Sequence, residues 1–294
     1  MAPIKLCQLN ARHARKVTPE ICQKAVEERI DILLLQEPYH REGKIIGFGS
    51  DAKIAYKLGT DPWAAIVILN PNICTLQLTQ LCSTHFAVIE ITVDQESIYL
   101  VSGYFQRRDE IEVHHKSLDK ILTKLRGKKV IMSIDSNANS PLWGPKATDA
   151  KGEKLEDFIN DRRLEVINNP RDIATVASEV GEGWPDVTLA TNNISAKIKE
   201  WRVQKGWTSS DHRAIVMEIT AGVQTGRRYE QDETYQGYYL AKADWQKFEA
   251  ALHSEYNEED GIRITSRASL IEKLKSLLAK LKRSCDKAIP KRKK

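Results

Sequence analysis

The chain has 294 residues, of which 41% are hydrophobic and 29% charged, so it is long enough for one large domain with an appendage, or for two ordinary domains. Its formal net charge of +5 permits a polyanionic partner without requiring one. Five scattered cysteines without a Cys-x-x-Cys pair argue against a disulfide framework and against a zinc site. We recognise no signal peptide and no membrane-spanning run, so we expect no membrane association and a reducing compartment, the cytosol or the nucleus.

The first elements of the chain are predicted as a strand at residues 4–10, a helix at 18–29 and a short buried strand at 31–36. The helix is expected to begin at Thr18 as its N-cap. Glu37 follows the second strand. A carboxylate fixed at the end of an apolar strand is costly to bury without a partner such as a metal ion. An exposed loop glutamate is the alternative interpretation.

Four β-rich segments joined by short polar turns follow, and they predict an antiparallel part within a mixed sheet. They are residues 63–69, 73–79, 86–93 and 97–105. The last segment carries Tyr104, whose hydroxyl can hold a phosphate, although an aromatic ring packed at the rim of the core is the favoured interpretation of this residue taken alone. Residues 109–125 predict an amphipathic helix, on which we expect His114 and His115 to lie in solvent.

Residues 130–143 begin as a buried strand and then become polar, with Asp135, Ser136 and Asn137 at the transition. Polar side chains at the tip of a buried strand lie where α/β proteins build their sites. Asp135 and Asn137 are two residues apart and project to the same side if strand geometry persists. Taken alone, the stretch is equally compatible with an Asx turn that closes the strand.

The remaining chain predicts a helix at 151–163 and strands at 164–168, 184–189, 198–203 and 213–219. After residue 220 the composition changes, and we predict a linker followed by two helices, the second at 266–287 with an apolar stripe. We therefore predict two parts, a first domain at 1–220 and a linker with a helical connector at 221–294. Nothing in the first domain is an evident partner for the stripe.

Seven polar residues each lie where a predicted strand begins or ends, so the edge of a sheet can bring them together: Asn10, Glu37, Asp135, Asn137, Asp186, Asp211 and His212. Hard oxygen ligands with one histidine and no thiol suit Mg²⁺ or Mn²⁺ better than zinc. A carboxylate next to a histidine, with a distant second carboxylate to orient the ring, suits hydrolysis of a phosphate ester.

Five short motifs, in this order, resemble the endonuclease/exonuclease/phosphatase superfamily, which includes DNase I, class II AP endonucleases and the endonuclease domains of non-LTR retrotransposons. They are Leu9-Asn10, Gln36-Glu37-Pro38, Ser102-Gly103-Tyr104-Phe105, Asp135-x-Asn137 and Ser210-Asp211-His212, with Asp186 before a hydrophobic strand as a sixth feature. The resemblance covers residues 1 to about 220. Any one motif is weakly specific, whereas the ordered set is strongly specific.

Three longer stretches are similar to the retrotransposon branch, in particular to arthropod elements that insert into ribosomal DNA or telomeric repeats. They are Gln-Glu-Pro-Tyr at 36–39, Asn-Ser-Pro-Leu-Trp at 139–143 and Ser-Ser-Asp-His-Arg at 209–213. In those elements a helical connector with a proline and basic residues, as at 288–293 here, joins the endonuclease to a reverse transcriptase.

The resemblance implies an α/β fold, a four-layer sandwich of two mixed sheets flanked by helices, with a helical C-terminal extension. It implies that Glu37 is the main ligand of Mg²⁺ or Mn²⁺, helped by Asn10 and Asp211. It also implies that Ser136, in place of the usual aromatic residue between Asp and Asn, leaves the packing under the site undecided.

For the remaining site residues the resemblance implies direct roles in the reaction. Asp186 orients His212, which contacts the scissile phosphate. Asp135 activates the attacking water or handles the leaving-group proton, and Asn137 orients the phosphate or the nucleophile. Three further residues are expected to line the phosphate pocket: Tyr104, Thr175 and Ser210.

The implied function is that of a Mg²⁺-dependent DNA endonuclease that nicks one strand of double-stranded target DNA in the nucleus. The resulting 3′-hydroxyl would prime the reverse transcriptase of the same polyprotein. Basic residues of surface loops are candidate DNA contacts, unless they are merely solvated: Arg12, Lys16, Arg107, Arg108, Lys205 and Arg213. The alternatives are an AP-endonuclease-like repair enzyme, a phosphoesterase on small substrates and a catalytically dead nucleic-acid-binding module.

Overall fold

The computed structural model describes residues 3–93, 95–179, 181–220, 242–255 and 266–291. The chain divides into two compact units, Met1–Arg228 and Tyr229–Lys294, and each is described by itself. The predicted linker at 221–239 lies outside the described residues, so the domain boundary at residue 220 stays a prediction. No described helix combines the length and the hydrophobicity that crossing a membrane requires.

The first unit alternates short strands and helices. In chain order, they are β1 (Ile4–Asn10), α1 (Val17–Glu27), β2 (Ile32–Gln36), β3 (His40–Arg41), β4 (Lys44–Ile45), β5 (Lys53–Ala55), β6 (Ala64–Ile68), β7 (Thr75–Gln77), β8 (Phe86–Val93), β9 (Glu96–Tyr104), α2 (Ile111–Lys124), β10 (Lys129–Asp135), α3 (Ala150–Asp161), β11 (Leu164–Val166), β12 (Val176–Ser178), β13 (Gly181–Gly183), β14 (Asp186–Thr191), α4 (Asn192–Ser195), β15 (Ile198–Gln204) and β16 (Ala214–Ile219). Most agree with the predicted segments to within one or two residues at each end.

Two six-stranded sheets form the frame of this unit. Their strand orders are β15–β16–β1–β2–β6–β5 and β11–β14–β10–β9–β8–β7. Each sheet has one parallel pair at its centre, β1 with β2 and β9 with β10, whereas the neighbouring strands pair antiparallel. Two short hairpins, β3–β4 and β12–β13, lie outside these sheets. The predicted mixed character of the sheets is therefore confirmed.

Three apolar cores separate four layers. The core between the sheets contains side chains from both, such as Leu6 and Leu34 of the first and Leu100 and Ile131 of the second. Helix α1 packs on the outer face of the first sheet, and helices α2 and α3 pack on the outer face of the second. Burying one face of each helix and both faces of each sheet requires this layering. The predicted four-layer α/β sandwich is confirmed.

Side chains that face the space between the sheets change from apolar to polar along each central strand. On β1, Leu6 is followed by Gln8 and then by Asn10, because alternate residues of a strand point to the same face. On β2, Gln36 occupies the same level and donates a hydrogen bond to the Ser102 hydroxyl of the second sheet, at 3.0 Å. The polar ends of the central strands therefore meet at one end of the sandwich.

Two predictions about helices are wrong. Thr18 is not an N-cap, because α1 begins at Val17 and Thr18 is buried inside its first turn. His114 is not solvated, since only 2% of it is exposed and its ring stacks on Phe105 with a centroid distance of 5.0 Å. His115 is half-buried and stacks on Phe158. Helical periodicity accounts for the burial of His114, because it shares one face of α2 with other buried residues three and four positions away.

The second unit contains α5 (Trp245–Glu255) and α6 (Arg267–Ala288), so the predicted C-terminal helices are present. Asp244 caps α5 by accepting the backbone N–H of Lys247 at 2.9 Å. Glu255 joins the two helices through ion pairs with Arg283 and Lys287, each at 2.9 Å. The apolar stripe of α6 is partly exposed: Leu270, Ile271, Leu274, Leu277, Leu278 and Leu281. The predicted basic cluster at 288–293 lies partly outside the described residues.

Candidate active site

Strand register brings three of the predicted side chains together in the second sheet. Asp135 at the end of β10 pairs directly with Asp186 on one side and with Tyr104 on the other. All three are almost fully buried, with 1%, 2% and 7% of each exposed. Two carboxylates side by side on one face of a sheet repel each other, so the site requires a neighbouring positive charge.

Asn10 connects this group to the first sheet. Its Nδ2 donates to the Asp135 carboxylate at 2.8 Å and to the Glu37 carboxylate at 2.9 Å. Its Oδ1 accepts the backbone N–H of Arg12 at 2.8 Å. In this structure the Asn10 side chain is therefore a bridge between two carboxylates and offers them its nitrogen, and its role as a metal ligand stays a prediction.

His212 supplies the positive charge. Its Nδ1 lies 3.0 Å from a carboxylate oxygen of Asp186, and its Nε2 lies 3.8 Å from a carboxylate oxygen of Asp135. An isolated bridge to Val176 and a hydrogen bond from its N–H to the Ser210 hydroxyl hold its backbone immediately before β16. The ring is thus oriented by Asp186 and directed towards Asp135.

The charges of these three groups depend on one another. Burial by itself lowers the pKa of His212, but the charge and hydrogen bond of Asp186 and the charge of Asp135 outweigh it and raise the pKa to about 9. Burial and the nearby Asp186 charge raise the pKa of Asp135 to about 7, against the opposing effect of His212. At neutral pH the imidazole is therefore protonated, next to a carboxyl group near the midpoint of its titration.

Tyr104 keeps its proton over the physiological pH range. Burial, and then the negative charges of Glu37 and Asp135, raise the pKa of its phenol far above the ordinary value. Trp63 stacks on its ring at 5.2 Å with an interplanar angle of 13°. The hydroxyl group is therefore a fixed hydrogen-bond donor.

The loop after β10 contains both features that the sequence offered as alternatives, an Asx turn and polar side chains at a candidate site. The backbone N–H of Asn137 donates to the Asp135 carboxylate at 3.3 Å, as in an Asx turn, and Asn137 has a left-handed backbone with φ of 47°. Its Nδ2 donates to the Phe105 carbonyl at 2.9 Å. Ser136 replaces the packing of an aromatic residue by a hydrogen bond from its hydroxyl to the Pro185 carbonyl at 2.8 Å. Trp143 is fully buried and packs in the core on the outer face of the second sheet.

An open cleft of about 900 Å³ exposes this group of residues. Its wall includes nine of the predicted residues. Three are candidate DNA contacts, Arg12, Arg107 and Arg108, and the other six are Glu37, Tyr104, Asp135, Asn137, Asp211 and His212. It also includes residues that were not predicted, notably Trp63, Lys146, Lys151 and the β12–β13 hairpin. The sequence carries a signal for Trp63, because it precedes a strand antiparallel to β2 and therefore lies at the edge where β2 ends.

Three predicted phosphate or DNA contacts lie behind the cleft wall. Thr175 is fully buried and its hydroxyl accepts the backbone N–H of Asp186 at 3.4 Å. The Ser210 hydroxyl donates to the Asn10 carbonyl at 2.8 Å. The Arg213 guanidinium is engaged by the Ala174 carbonyl at 2.8 Å and by Glu182 at 3.0 Å. These contacts position the residues that do reach the cleft, and the predicted phosphate and DNA roles stay predictions.

The carboxylate oxygens of Glu37 are suitable ligands for a hard divalent cation. This carboxylate reaches the cleft, and among the described residues no lysine or arginine pairs with it; Nε2 of His13 lies 3.9 Å away. One carboxylate oxygen each of Asp186 and Asp211 is also buried without a hydrogen-bond partner. The group formed by Asp135, Asp186 and His212 is compact enough to hold an ion. We favour Glu37, because both nitrogens of the protonated His212 already face carboxylates.

Comparison with known proteins finds a family match and two similar retrotransposon proteins. Residues 98–216 match the family described as endonuclease-reverse transcriptase. The Pol polyprotein of the type-1 retrotransposable element R1 of Bradysia coprophila is 29% identical over 165 residues, which are 53% of this chain and 16% of that protein. The putative 115 kDa protein of element R1DM of Drosophila melanogaster is 23% identical over 266 residues, which are 85% of this chain and 25% of that protein. The chain thus spans a quarter or less of the length of these curated relatives.

A solved structure agrees with these matches. The endonuclease domain of TRAS1, a telomere-specific non-LTR retrotransposon, superposes with a TM-score of 0.69 at 28% identity, and the match covers 74% of this chain and 98% of that domain. The predicted superfamily and its retrotransposon branch are therefore confirmed. By its family match over residues 98–216 and by its fold, this chain is similar to the endonuclease domains of non-LTR retrotransposons, within the endonuclease/exonuclease/phosphatase superfamily.

Proposed function

We propose that this chain is a divalent-metal-dependent DNA endonuclease that nicks one strand of double-stranded DNA and leaves a 3′-hydroxyl. The observation that carries the proposal is the array of Asp186, His212 and Asp135, which opens into the same cleft as Glu37 and Tyr104. A buried imidazolium between two carboxylates, beside a cation site, provides for charge and proton transfer at a phosphodiester. The chemistry is hydrolysis, in which water attacks phosphorus and the bond to the 3′ oxygen breaks.

Asp135 is the group best placed to take the proton of the attacking water. Its pKa of about 7 lies near the operating pH, where a general base is most effective. Asn10 and the backbone of Asn137 hold its carboxylate by hydrogen bonds, so its orientation is fixed before substrate binds. Asn137 lines the cleft beside it and limits where the water and the phosphate can lie.

His212 and Tyr104 are the donors to the phosphate oxygens. The imidazolium and the phenol both carry a proton at neutral pH, because their pKa values are raised. Donors aimed in advance at developing negative charge stabilise a transition state without reorganisation. Glu37 would hold a divalent ion, which would supply additional Lewis-acid stabilisation of the phosphate. Mg²⁺ and Mn²⁺ are the ions that suit such an oxygen-rich set of donors.

The relatives support a proposal for the biological setting. R1-type elements encode much longer polyproteins, and we propose that the nick made by this domain primes the reverse transcriptase of the same polyprotein. The chain would then act on double-stranded DNA in the nucleus. The exposed side chains of Arg107 and Arg108 on the cleft wall are candidates for contacts with the DNA backbone.

A plasmid-nicking assay tests the proposal. Supercoiled plasmid is incubated with the full chain in Mg²⁺, Mn²⁺ or EDTA, and a DNA polymerase then tests whether the nick carries a 3′-hydroxyl. We expect metal-dependent nicks that the polymerase extends. Asp135→Asn and His212→Ala should abolish nicking, whereas Asp157→Asn, which removes an exposed carboxylate from α3, should leave it unchanged.

Two substrates separate the alternatives. Cleavage of an abasic duplex, with intact DNA left uncut, would replace the proposal by an AP-endonuclease activity. Metal-independent DNA binding without cleavage in any metal would indicate a catalytically dead binding module. Full nicking activity in both Asp135→Asn and His212→Ala would remove the assignment of the site.

A further inference from the structure

A fixed arginine lies at the mouth of the cleft, in addition to the residues that the proposed mechanism uses. Arg12 follows β1 directly, lines the cleft and forms an ion pair with Asp211 through its Nη1. Its side chain is 56% exposed, whereas that of Asp211 is 21% exposed. A guanidinium carries five N–H donors, so a contact with one carboxylate leaves others available to the cleft.

The backbone holds Arg12 in place. Its N–H donates to the Asn10 side chain at 2.8 Å, and its φ of 52° lies in the left-handed region. The residues on either side extend the pairing of β1 with β2, through hydrogen bonds from Ala11 to the Gln36 carbonyl and from His13 to the Glu37 carbonyl, at 2.8 and 2.7 Å. Arg12 therefore lies in a turn that backbone hydrogen bonds hold in place, directly after the strand that carries Asn10.

The charged groups around the cleft bear on the role of Arg12. Among the described residues, four carboxylates belong to the predicted site, Glu37, Asp135, Asp186 and Asp211, whereas the two others on the cleft wall, Asp149 and Glu182, accept hydrogen bonds from Asn139 and Arg213. His212 is shared by Asp135 and Asp186, and Arg12 is paired with Asp211. No lysine or arginine in the described part of the chain pairs with Glu37. With His212 and Arg12 each carrying one positive charge against the four ionised carboxylates of the site, one divalent cation at Glu37 would balance their charge.

We propose that Arg12 is a catalytic residue that serves as a built-in second cation: it neutralises Asp211, so that a single divalent ion is held at Glu37, and it contacts a non-bridging oxygen of the scissile phosphate. The second part rests on the proposed endonuclease function. Arginine suits both tasks, because its charge persists at every physiological pH and its planar fork matches carboxylate and phosphate oxygens.

The test measures metal binding and cleavage separately in Arg12→Gln, Arg12→Lys and a control, Arg15→Gln. Arg15 is an exposed arginine three residues further along and is not part of the cleft wall, so its variant removes the same charge elsewhere. Mn²⁺ binding to the full chain without DNA is followed by the electron paramagnetic resonance signal of free Mn²⁺. Single-turnover nicking of supercoiled plasmid is measured at saturating Mn²⁺.

For Arg12→Gln, the affinity for Mn²⁺ should rise while the rate of nicking falls. Loss of the resident charge should lower the Mn²⁺ dissociation constant several-fold, because Asp211 is no longer neutralised. Loss of a charge-assisted hydrogen bond to phosphate should slow nicking by about 10- to 100-fold. Arg12→Lys should keep Mn²⁺ affinity close to that of the unchanged protein and lose part of the nicking rate, and Arg15→Gln should change neither.

Unchanged or weaker Mn²⁺ binding by Arg12→Gln would overturn the role as a resident cation. Undiminished nicking by Arg12→Gln would overturn the phosphate contact. If the unaltered chain nicks no DNA with any metal, the proposed endonuclease function itself fails. The Mn²⁺ measurement then still decides whether Arg12 neutralises Asp211, since it involves no cleavage.

Discussion

Replacing Asp186 by asparagine removes one negative charge from a buried site while keeping the size of the side chain. Asp186 orients His212 and adds to the negative charge beside Asp135. The carboxylate raises the pKa of both neighbours. Its loss should therefore lower the pKa of the imidazolium and the pKa of the Asp135 carboxyl together.

The size of the shift follows from the contact with His212. Asp186 Oδ2 lies 3.0 Å from the ring nitrogen, and the two side chains are only 2% and 12% exposed, so solvent screens the pair weakly. A hydrogen bond to a charged group contributes about 1.5–3 kcal/mol, which corresponds to about 1–2 pKa units. The pKa of His212 should fall by about this amount from its value of about 9, and that of Asp135 should fall below about 7.

The pH dependence of single-turnover nicking measures both changes. If the reaction needs Asp135 deprotonated and His212 protonated, the rate rises with pH as Asp135 loses its proton and falls again as His212 does. In Asp186→Asn both limbs should move to lower pH, with the larger movement on the alkaline side. Titration of the imidazole of His212 by nuclear magnetic resonance provides the same pKa without any activity.

Asp157→Asn is the matched control, because it removes an exposed carboxylate from α3 and is not part of the cleft wall. Its pH profile should coincide with that of the unaltered protein. An alkaline limb that stays in place in Asp186→Asn would show that Asp186 does not stabilise the imidazolium. An acid limb that moves upwards would refute the assignment of that limb to Asp135.

Three further outcomes are expected. Gly152→Ala should lower the free energy of unfolding in urea by about 1–3 kcal/mol or more, because an added Cβ would lie 1.8 Å from the Asn139 carbonyl oxygen; Gly49→Ala, where nothing lies within 4 Å, should be nearly neutral. Tyr104→Phe should keep the melting temperature, since the stacked ring remains, but slow nicking about tenfold or more through loss of a phosphate donor, and an unchanged rate would contradict that role. Burial lowers the pKa of His114 to about 4, so the unfolded chain takes up an additional proton between about pH 6.5 and 4, and stability should fall with decreasing pH there by at most about 1.4 kcal/mol per pH unit. His114→Gln should flatten this part of the stability curve, and an equally steep curve would assign the acid sensitivity to other groups.

Local sequence patterns predicted most of the helices and strands. Apolar runs and alternation located the strands that end at Asn10, Gln36 and Asp135 to within one residue, because each is a short buried segment with one strong period. The same reasoning failed for His114, where the identity of the side chain was weighed above its helical position. It also failed for Thr18, where a residue type preferred at N-caps is instead the second residue of the helix and is buried.

The candidate site was predicted as a set of residues but not as an arrangement. The residues that follow strands were recognisable from their types and order, because polar side chains at strand ends are recorded locally in the sequence. The ordered motifs also indicated the superfamily, which the comparisons confirm. Distances between those residues depend on how two sheets pack, and no short stretch of sequence records that packing.

The sequence by itself determined most helices and strands and the chemistry of the polar strand ends, since both follow from local periodicity and residue type. The layered α/β fold was predicted only through the resemblance of its ordered motifs to a known superfamily. Only the tertiary structure decided which of these groups meet. The register of β10 with β14 and β9 places Asp135 between Asp186 and Tyr104, and the packing of the sheets brings Asn10 across to it. The pairing of Arg12 with Asp211 joins residues 199 positions apart, so it is a product of folding that sequence proximity does not reveal.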